Sequence, residues 1–367
     1  MRIGIILHGP EIVDVGSARK IIGIFNKEHD VTAKLGGTMG RTAVLDAGLE
    51  NVIDISRGQT PSETINAMRD DIDLAILLNH GKTLDTGRYF GSIVASRLDN
   101  EVPFVHIESP DHNGRIIYYY PHAKRCAEFV SNLLTGNDEN YNLPVELGIP
   151  EPSFVRIDGD RIIRRIGGGF RGENIRLDGV VIGEITDSDI EIECRDGKIT
   201  GLKGIKEKPH GIEKLKNRRI DLLTARVKTG GIRRTKSRPK IVDIVSSPGK
   251  IAIIDHAAES TFELIKGAGL VITIGDDTTT IAADILARLG VPVIGIIDGD
   301  IDGVLKNTVV PEGSIIIRVM AGFDDVVGKE LSHELMRGKQ PLIFDKDELT
   351  SKILAFAEKY VVEVTYY

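Results

Sequence analysis

Short apolar runs that break at glycine, histidine or a carboxylate recur along the first 110 or so residues, each followed by a stretch with helical spacing. Ile3 to Leu7 stops at His8-Gly-Pro-Glu11, with Asp14-Val-Gly16 just beyond, and Ser17 to Asn26 then sets Ala18, Ile21, Ile22 and Phe25 on one helical face. Val31 to Leu35 stops at Gly36-Gly37, and a helix near Arg41 carries Ala43, Val44, Leu45 and Ala47. After Val52-Ile53-Asp54-Ile55, Pro61 opens another helix, where its missing N–H is no loss. Leu74 to Leu78 ends at Asn79-His80-Gly81; a helix over Gly87–Arg97 and a strand over Val102–Ile107 complete the repeat. Alternation of this kind predicts a mainly parallel sheet with helices on both faces.

A helical stretch from Ala123 to Leu134 leads into Gly136-NDENYNLP, which reads as a polar linker. Beyond Pro150 the pattern changes to short, partly alternating runs at Val180–Glu184, Asp189–Cys194 and Lys198–Leu202, with Asp196-Gly197 as a hairpin turn. A basic helix over Gly211–Leu223 follows. From about Ile241 the strand–helix alternation resumes: Ile251-IID, Leu270-VITIG, a helix over Thr278–Leu289, and strands over Val291–Ile297 and Ser314–Val319. The fold class is therefore α/β. Two Rossmann-like parallel-sheet units, residues 1–149 and 241–367, flank a small β-rich unit with a basic segment, residues 150–240.

At 367 residues, 41% hydrophobic and 28% charged, the chain suits two or three globular domains. Absence of Trp and an aromatic content of 5% argue against stacking platforms for single-stranded nucleic acid. Cys126 and Cys194 stand far apart and outside metal-spaced pairs, which points to a reducing cytoplasm rather than a disulfide framework. The short N-terminal apolar run reads as a first strand rather than a signal peptide, and no run is long enough to span a membrane. The net charge of −7 is uneven: Lys203 to Lys240 holds 14 Lys/Arg against Glu207, Glu213 and Asp221, a local +11 that leaves −18 elsewhere. That segment is either a solvated face or an anion-facing surface, with Arg233, Arg234, Lys236, Arg238 and Lys240 as its densest part.

Two loops of the C-terminal unit carry the sharpest chemistry. Gly275-Asp276-Asp277-Thr278-Thr279-Thr280 follows a strand and opens a helix, where hydroxyls and free backbone N–H groups either cap the helix or bind phosphate. Asp298, Asp300 and Asp302, spaced by Gly299 and Gly303, end the Val291–Ile297 run. Clustered carboxylates repel without a cation, so they suit Mg²⁺. The N-terminal strand ends also carry polar residues. His80 and Lys82 follow a buried-type strand and could reach a substrate, and Asn79-HGKT lacks the upstream glycine of a P-loop. His106-Ile-Glu108-Ser-Pro-Asp111-His112 fits no metal signature, and His106 reads as a buried, hydrogen-bonded histidine. Gly167-Gly168-Gly169-Phe-Arg-Gly172 reads as a hinge or loop.

Asp298-Gly-Asp-Ile-Asp-Gly303 resembles the acidic loop of the pyrophosphokinase superfamily that includes thiamine pyrophosphokinase and the archaeal hydroxymethylpterin pyrophosphokinase, in which such a run holds Mg²⁺-ATP. The Gly313-SIIIRV strand followed by Gly322-Phe-Asp-Asp is compatible with that layout. The loop is also similar to the Asp-x-Asp element of toprim domains, but those need a glutamate at an earlier strand end, where this chain has Asp255-His256. As a whole the chain resembles an uncharacterised domain-of-unknown-function family of methanogenic archaea, most recognisably over Gly275-DDTTTIAADILARLGVPVIGIIDGDIDG. That resemblance implies no established activity.

The leading expectation is an Mg²⁺-dependent protein acting on a nucleotide or other phosphorylated small molecule by phosphoryl or pyrophosphoryl transfer. Asp298, Asp300 and Asp302 would hold the metal, with Asp298 and Asp300 also in the catalytic set. Gly275, Asp276, Asp277, Thr278, Thr279, Gly299 and Gly303 would cradle phosphate, and Arg233 or Arg234 would offset developing charge. The alternatives are a non-catalytic nucleotide- or cofactor-binding protein and, less favoured, a nucleic-acid-binding toprim-like protein using the basic segment. Oligomeric state is open.

Overall fold

The computed structural model describes residues 1–38, 40–99, 102–150, 155–216, 218–230, 247–255, 258, 261–265, 267–299, 310–336 and 345–367. The chain divides into two compact units, Met1–Ser237 and Arg238–Tyr367.

The first unit is built on a seven-stranded sheet of β1 (Arg2–His8), β2 (Asp30–Leu35), β3 (Ile53–Asp54), β4 (Leu74–Asn79), β5 (Phe104–Glu108), β6 (Arg115–Tyr118) and β7 (Val145–Leu147). Its order is β3-β2-β1-β4-β5-β6-β7, parallel from β3 to β5, with β6 antiparallel to β5 and β7 parallel to β6. The central strands are apolar at nearly every position because both faces are covered. Helices α1 (Glu11–Asp14), α2 (Ser17–Phe25) and α3 (Arg41–Asp46), together with α6 (Lys124–Asn137), pack on the face of Ile3, Ile5, Leu7, Ile76 and Val105. Helices α4 (Pro61–Met68) and α5 (Leu84–Ser96) pack on the opposite face, against Ile6, Ala75, Leu77 and Phe104. The crossovers leaving β1 and β4 thus diverge to opposite faces, and the strand order reverses between these neighbours. In open α/β sheets that reversal opens a crevice beyond the strand C-termini.

Residues 136–144 are packed rather than a linker: a 3-10 turn at Glu139–Tyr141 precedes β7, and Tyr141 and Leu143 join the core. The run is polar around those two side chains, and they decide its position.

The rest of the first unit is a β-sandwich. One sheet has the order β14-β11-β10-β15 and the other β13-β12-β9-β8, from β8 (Val155–Asp158), β9 (Arg161–Ile166), β10 (Asn174–Leu177), β11 (Val180–Ile185), β12 (Ile190–Arg195), β13 (Lys198–Lys203), β14 (Ile205–Glu207) and β15 (Val227–Thr229). Ile175, Leu177, Ile182, Ile190, Ile192 and Cys194 form the shared core. The β12–β13 hairpin turns at Asp196 and Gly197, both at positive φ (49° and 74°), the conformation that Asp-Gly turns favour. The basic helix is shorter than its sequence suggests: α7 spans Pro209–Leu215. Further on, the Asp221 side chain accepts hydrogen bonds from the Leu223 N–H and the Thr224 hydroxyl, closing a turn where a helix was expected.

The second unit is a five-stranded sheet, β16 (Ser247–Asp255), β17 (Ala268–Ile274), β18 (Val293–Ile297), β19 (Ile315–Val319) and β20 (Val361–Tyr366), in that order, parallel except for the antiparallel edge strand β20. A four-residue helix α8 (Thr261–Leu264) joins β16 to β17. Helix α9 (Asp276–Leu289) follows β17, and α10 (Asp324–Met336) and α11 (Lys346–Ala357) precede β20. Among the described strands the order does not reverse here. Among the described residues no helix is long and apolar enough to cross a membrane.

Candidate ligand-binding site

Side chains alternate faces along a strand, so residues in register on neighbouring strands share a face. At the C-terminal ends of the first sheet, His8 of β1 lies in register with Asn79 of β4, and Asn79 with Glu108 of β5. All three point to the α5 face and form a hydrogen-bonded row. His8 Nδ1 and Asn79 Oδ1 are 2.8 Å apart, and Asn79 Nδ2 donates to Glu108 Oε2 at 2.6 Å. His106, two residues earlier on β5, shares that face and meets Glu108 Oε2 through Nε2 at 3.1 Å and the Tyr119 hydroxyl through Nδ1 at 3.1 Å. The Ser109 hydroxyl and the Gly81 N–H donate to Glu108 Oε1 at 2.6 and 2.7 Å.

Glu108 and His106 are both 0% exposed. Burial alone would raise the Glu108 pKa, but the hydrogen bonds from His106, Ser109 and Gly81, with the charge interaction at His106, draw it down from 4.5 to about 2. Burial raises the Tyr119 pKa, so its phenol keeps its proton.

Two glycines make this network possible. Gly87 and Gly91 are four residues apart and so share one face of α5. A Cβ on Gly87 would sit 2.0 Å from the Glu108 carboxyl carbon, and one on Gly91 2.2 Å from His106 Nδ1. The helix therefore lies directly on the polar row. A Thr83–Thr86 capping box fixes its first turn, near Glu108, where the partial positive charge of a helix start favours a carboxylate.

Above the row is a cavity of about 410 Å³, within the size range of small-molecule sites. His8, Gly9, Pro10 and Glu11 line it from the end of β1, and Asn79 to Lys82 from the end of β4. Tyr89, Phe90, Ile93 and Arg97 contribute from α5. Arg164 to Gly168 and Val227 to Thr229 of the sandwich close the far side. Phe90 stacks on the His8 ring at 3.8 Å and 17°. Five of the lining residues, Lys82, Arg97, Arg164, Arg165 and Lys228, are cationic, against one carboxylate, Glu11. Lys82 is paired with Glu173 at 2.6 Å, also reaching the Gly168 carbonyl, and Arg165 lies 3.6 Å from Asp189. Arg164 is held differently. Its Nη1 donates to the Leu222 and Ala225 carbonyls at 3.1 and 2.6 Å, and no carboxylate among the described residues lies within ion-pair distance of it. Burial first, and then the neighbouring Arg97 charge, lower its pKa.

In the second unit, Asp276 and Asp298 come together because β17 and β18 are neighbours. Asp276 Oδ1 accepts from the N–H groups of Asp298 (3.2 Å) and Gly299 (3.4 Å), and Asp298 Oδ2 accepts from Gly322 N–H at 2.8 Å. Thr279 is fully buried with its hydroxyl on Thr273 at 2.8 Å, which turns it away from a phosphate-cradling role, and Thr278 is also buried. Gly275 adopts φ 97° ahead of α9, a conformation suited to glycine. With an oxygen of each carboxylate serving backbone N–H groups, Asp276 and Asp298 do not make a ligand set by themselves, and no group of three or more His, Cys, Asp or Glu among the described residues is arranged to hold a metal. Asp277 lies in the first turn of α9. Asp300, Asp302, Gly303, Arg233 and Arg234 lie outside the described residues.

The His8–Asn79–Glu108 row and the β9 cations Arg164 and Arg165 were not singled out from the sequence, whereas Lys228 of β15 falls within the basic Lys203–Lys240 segment read as a candidate anion-facing surface. The usable signal was a polar residue closing each of three apolar runs, together with two glycines at helical spacing in the segment between the second and third.

The family model described as "uncharacterized protein conserved in archaea (DUF2117)" matches residues 5–339. An uncharacterized protein of Methanocaldococcus jannaschii is 41% identical over 343 residues, covering 93% of each chain. Among solved structures, L-asparaginase I from Vibrio cholerae O1 biovar eltor aligns over 96% of each chain at 14% identity with a TM-score of 0.19, a likeness that carries no argument about fold or activity. A match spanning nearly the whole chain, with a relative this similar over the same extent, places the protein: it belongs to the DUF2117 family conserved in archaea.

Proposed function

We propose that the protein binds an anionic small molecule of the phosphorylated or nucleotide class in the crevice beyond β1, β4 and β5. The observation that carries this reading is Arg164, a half-buried guanidinium with carbonyl partners and a second guanidinium nearby, at the mouth of a strand-order reversal. Cations gathered against low-dielectric walls concentrate an anion there. Tyr89, Phe90, Ile93 and Val227 offer an apolar wall for the uncharged part of the molecule.

Thermal melting of the full chain with pyrophosphate or ADP tests the reading. Both should raise the melting temperature, and Arg164→Gln should weaken binding by roughly tenfold or more, as expected for losing charged hydrogen bonds of about 1.5–3 kcal/mol. Arg97→Gln, at an exposed position, should weaken it less. No shift with any phosphate-bearing anion, or an undiminished shift in both variants, would refute the proposal.

A second reading keeps an Mg²⁺-nucleotide at the acidic loop of the second unit. It is favoured by the placement of Asp276 and Asp298 on adjacent strand ends and rests otherwise on Asp300 and Asp302. Mg²⁺ with ATP should then raise the melting temperature, and Asp300→Ala should abolish the rise.

A further inference from the structure

We infer that His8 is the proton acceptor of the crevice, positioned by Asn79 and Glu108, so that the site performs chemistry as well as binding. The inference rests on the proposed binding of an anionic molecule there. Hydrogen-bond polarity is set from the buried end of the row outward. An ionised carboxylate can only accept hydrogen bonds, so the group Asn79 directs at Glu108 is its NH₂. The Asn79 oxygen then faces His8, and an amide oxygen also only accepts, so His8 Nδ1 must carry the hydrogen. In the neutral ring the lone pair is therefore on Nε2, and among the described residues no hydrogen bond occupies that atom. The ring itself lines the cavity and is clamped by Phe90.

This is the division of labour used by carboxylate-oriented histidine bases generally, with an amide inserted between carboxylate and imidazole. In the step inferred, a hydrogen on oxygen, nitrogen or an acidified carbon of the bound molecule passes to Nε2 as H⁺. The bonding pair stays on the atom that lost it, and the ring becomes imidazolium. Arg164 and Arg97 offset the negative charge left on the molecule.

Groups facing His8 from the surrounding elements act in both directions. Asn79 on β4, Glu108 on β5 and Glu11 on α1 favour the imidazolium, while burial and Lys228 on β15 oppose it. Burial is the largest influence and holds the pKa below its ordinary value of 6.5. The ring is thus a neutral base near pH 7, with two carboxylates placed to stabilise the charge it acquires.

Long-range ¹H–¹⁵N spectra of the full chain labelled at histidine nitrogen, with His8→Gln to assign the signal, test this directly. Neutral His8 is expected to carry its hydrogen on Nδ1 and to titrate with a midpoint below 6.5. A hydrogen on Nε2, or a midpoint at or above 6.5, overturns the inference from the wild-type spectrum alone. Asn79→Leu should shift the hydrogen toward Nε2, a signature that a purely packing role for Asn79 would not produce. Carbethoxylation of His8 by diethyl pyrocarbonate gives a second measure: its rate should change less than twofold between pH 8 and pH 6.5, and a steeper fall would contradict a depressed pKa. Adding pyrophosphate separates the two claims. If pyrophosphate changes neither the melting temperature nor the His8 signal, the binding proposal fails and the inference falls with it. Binding accompanied by an Nε2–H ring sinks the proton-acceptor role alone.

Discussion

Both units end parallel strands in carboxylates, but Glu108 in the first gathers mainly side chains, whereas Asp276 and Asp298 in the second accept from backbone N–H groups. Glu108 lies beneath α5 and orders Asn79, His106, Ser109 and the Gly81 N–H around itself. Asp276 and Asp298 staple three backbone N–H groups of adjoining loops. The difference follows from topology. Where strand order reverses, crossovers diverge and the strand ends are left open to a ligand, whereas among the described strands of the second sheet the order runs on without reversal. A carboxylate at a strand end is thus a weak pointer to chemistry until its hydrogen-bond partners are known.

The contrast breaks most visibly at the glycines. Gly91→Ala should destabilise the first unit by about 3 kcal/mol, because the clash with His106 and the Tyr119 hydroxyl exceeds the gain of about 1 kcal/mol that alanine brings inside a helix. Gly275→Ala meets nothing closer than 3.6 Å but must hold φ 97°, so a smaller cost of about 1–2 kcal/mol is expected. Urea unfolding of each variant checks the ranking.

Acid gives an effect as large as that of Gly91→Ala. The Glu108 pKa is lowered on folding from 4.5 to about 2, so the stability it confers is complete above pH 4.5 and is lost as pH falls through 2. The loss amounts to about 3 kcal/mol. Melting curves across that window should slope steeply in the native chain and flatten in Glu108→Gln. The smallest effect belongs to the second unit: Asp298→Ala removes one acceptor from the Gly322 N–H and should cost about 1 kcal/mol, with Asp298→Asn nearer neutral because its amide oxygen still accepts.

Much of the fold was legible in the sequence. Apolar runs such as Leu74–Leu78 and Leu270–Ile274 mark strands buried on both faces, and Asp196-Gly197 marks its hairpin without tertiary help. β20 was not legible, since an edge strand with Val362 and Tyr366 exposed has no continuous apolar face. The start of α5 was read three residues late, at Gly87, because the Thr83–Thr86 cap carries no hydrophobic periodicity. Of the candidate site, His106 was recognised as a buried, hydrogen-bonded histidine, and His80 and Lys82 were noticed at a strand end. Lys82 proves to be tied to Glu173, and His80 lies 3.5 Å from Asp111. The row itself joins residues about 30 and 70 positions apart whose relation exists only through strand register. Arg164 reaches the cavity only because the sandwich packs where it does, and no local pattern encodes that.

The most direct test of the central claim is a calorimetric titration of pyrophosphate into the native chain, Arg164→Gln and Asp298→Asn, each confirmed folded by circular dichroism. Saturable binding is predicted that weakens by roughly tenfold or more in Arg164→Gln and is unchanged within twofold in Asp298→Asn. Binding that survives the first substitution and is lost in the second would place the anion site in the second unit and contradict the account.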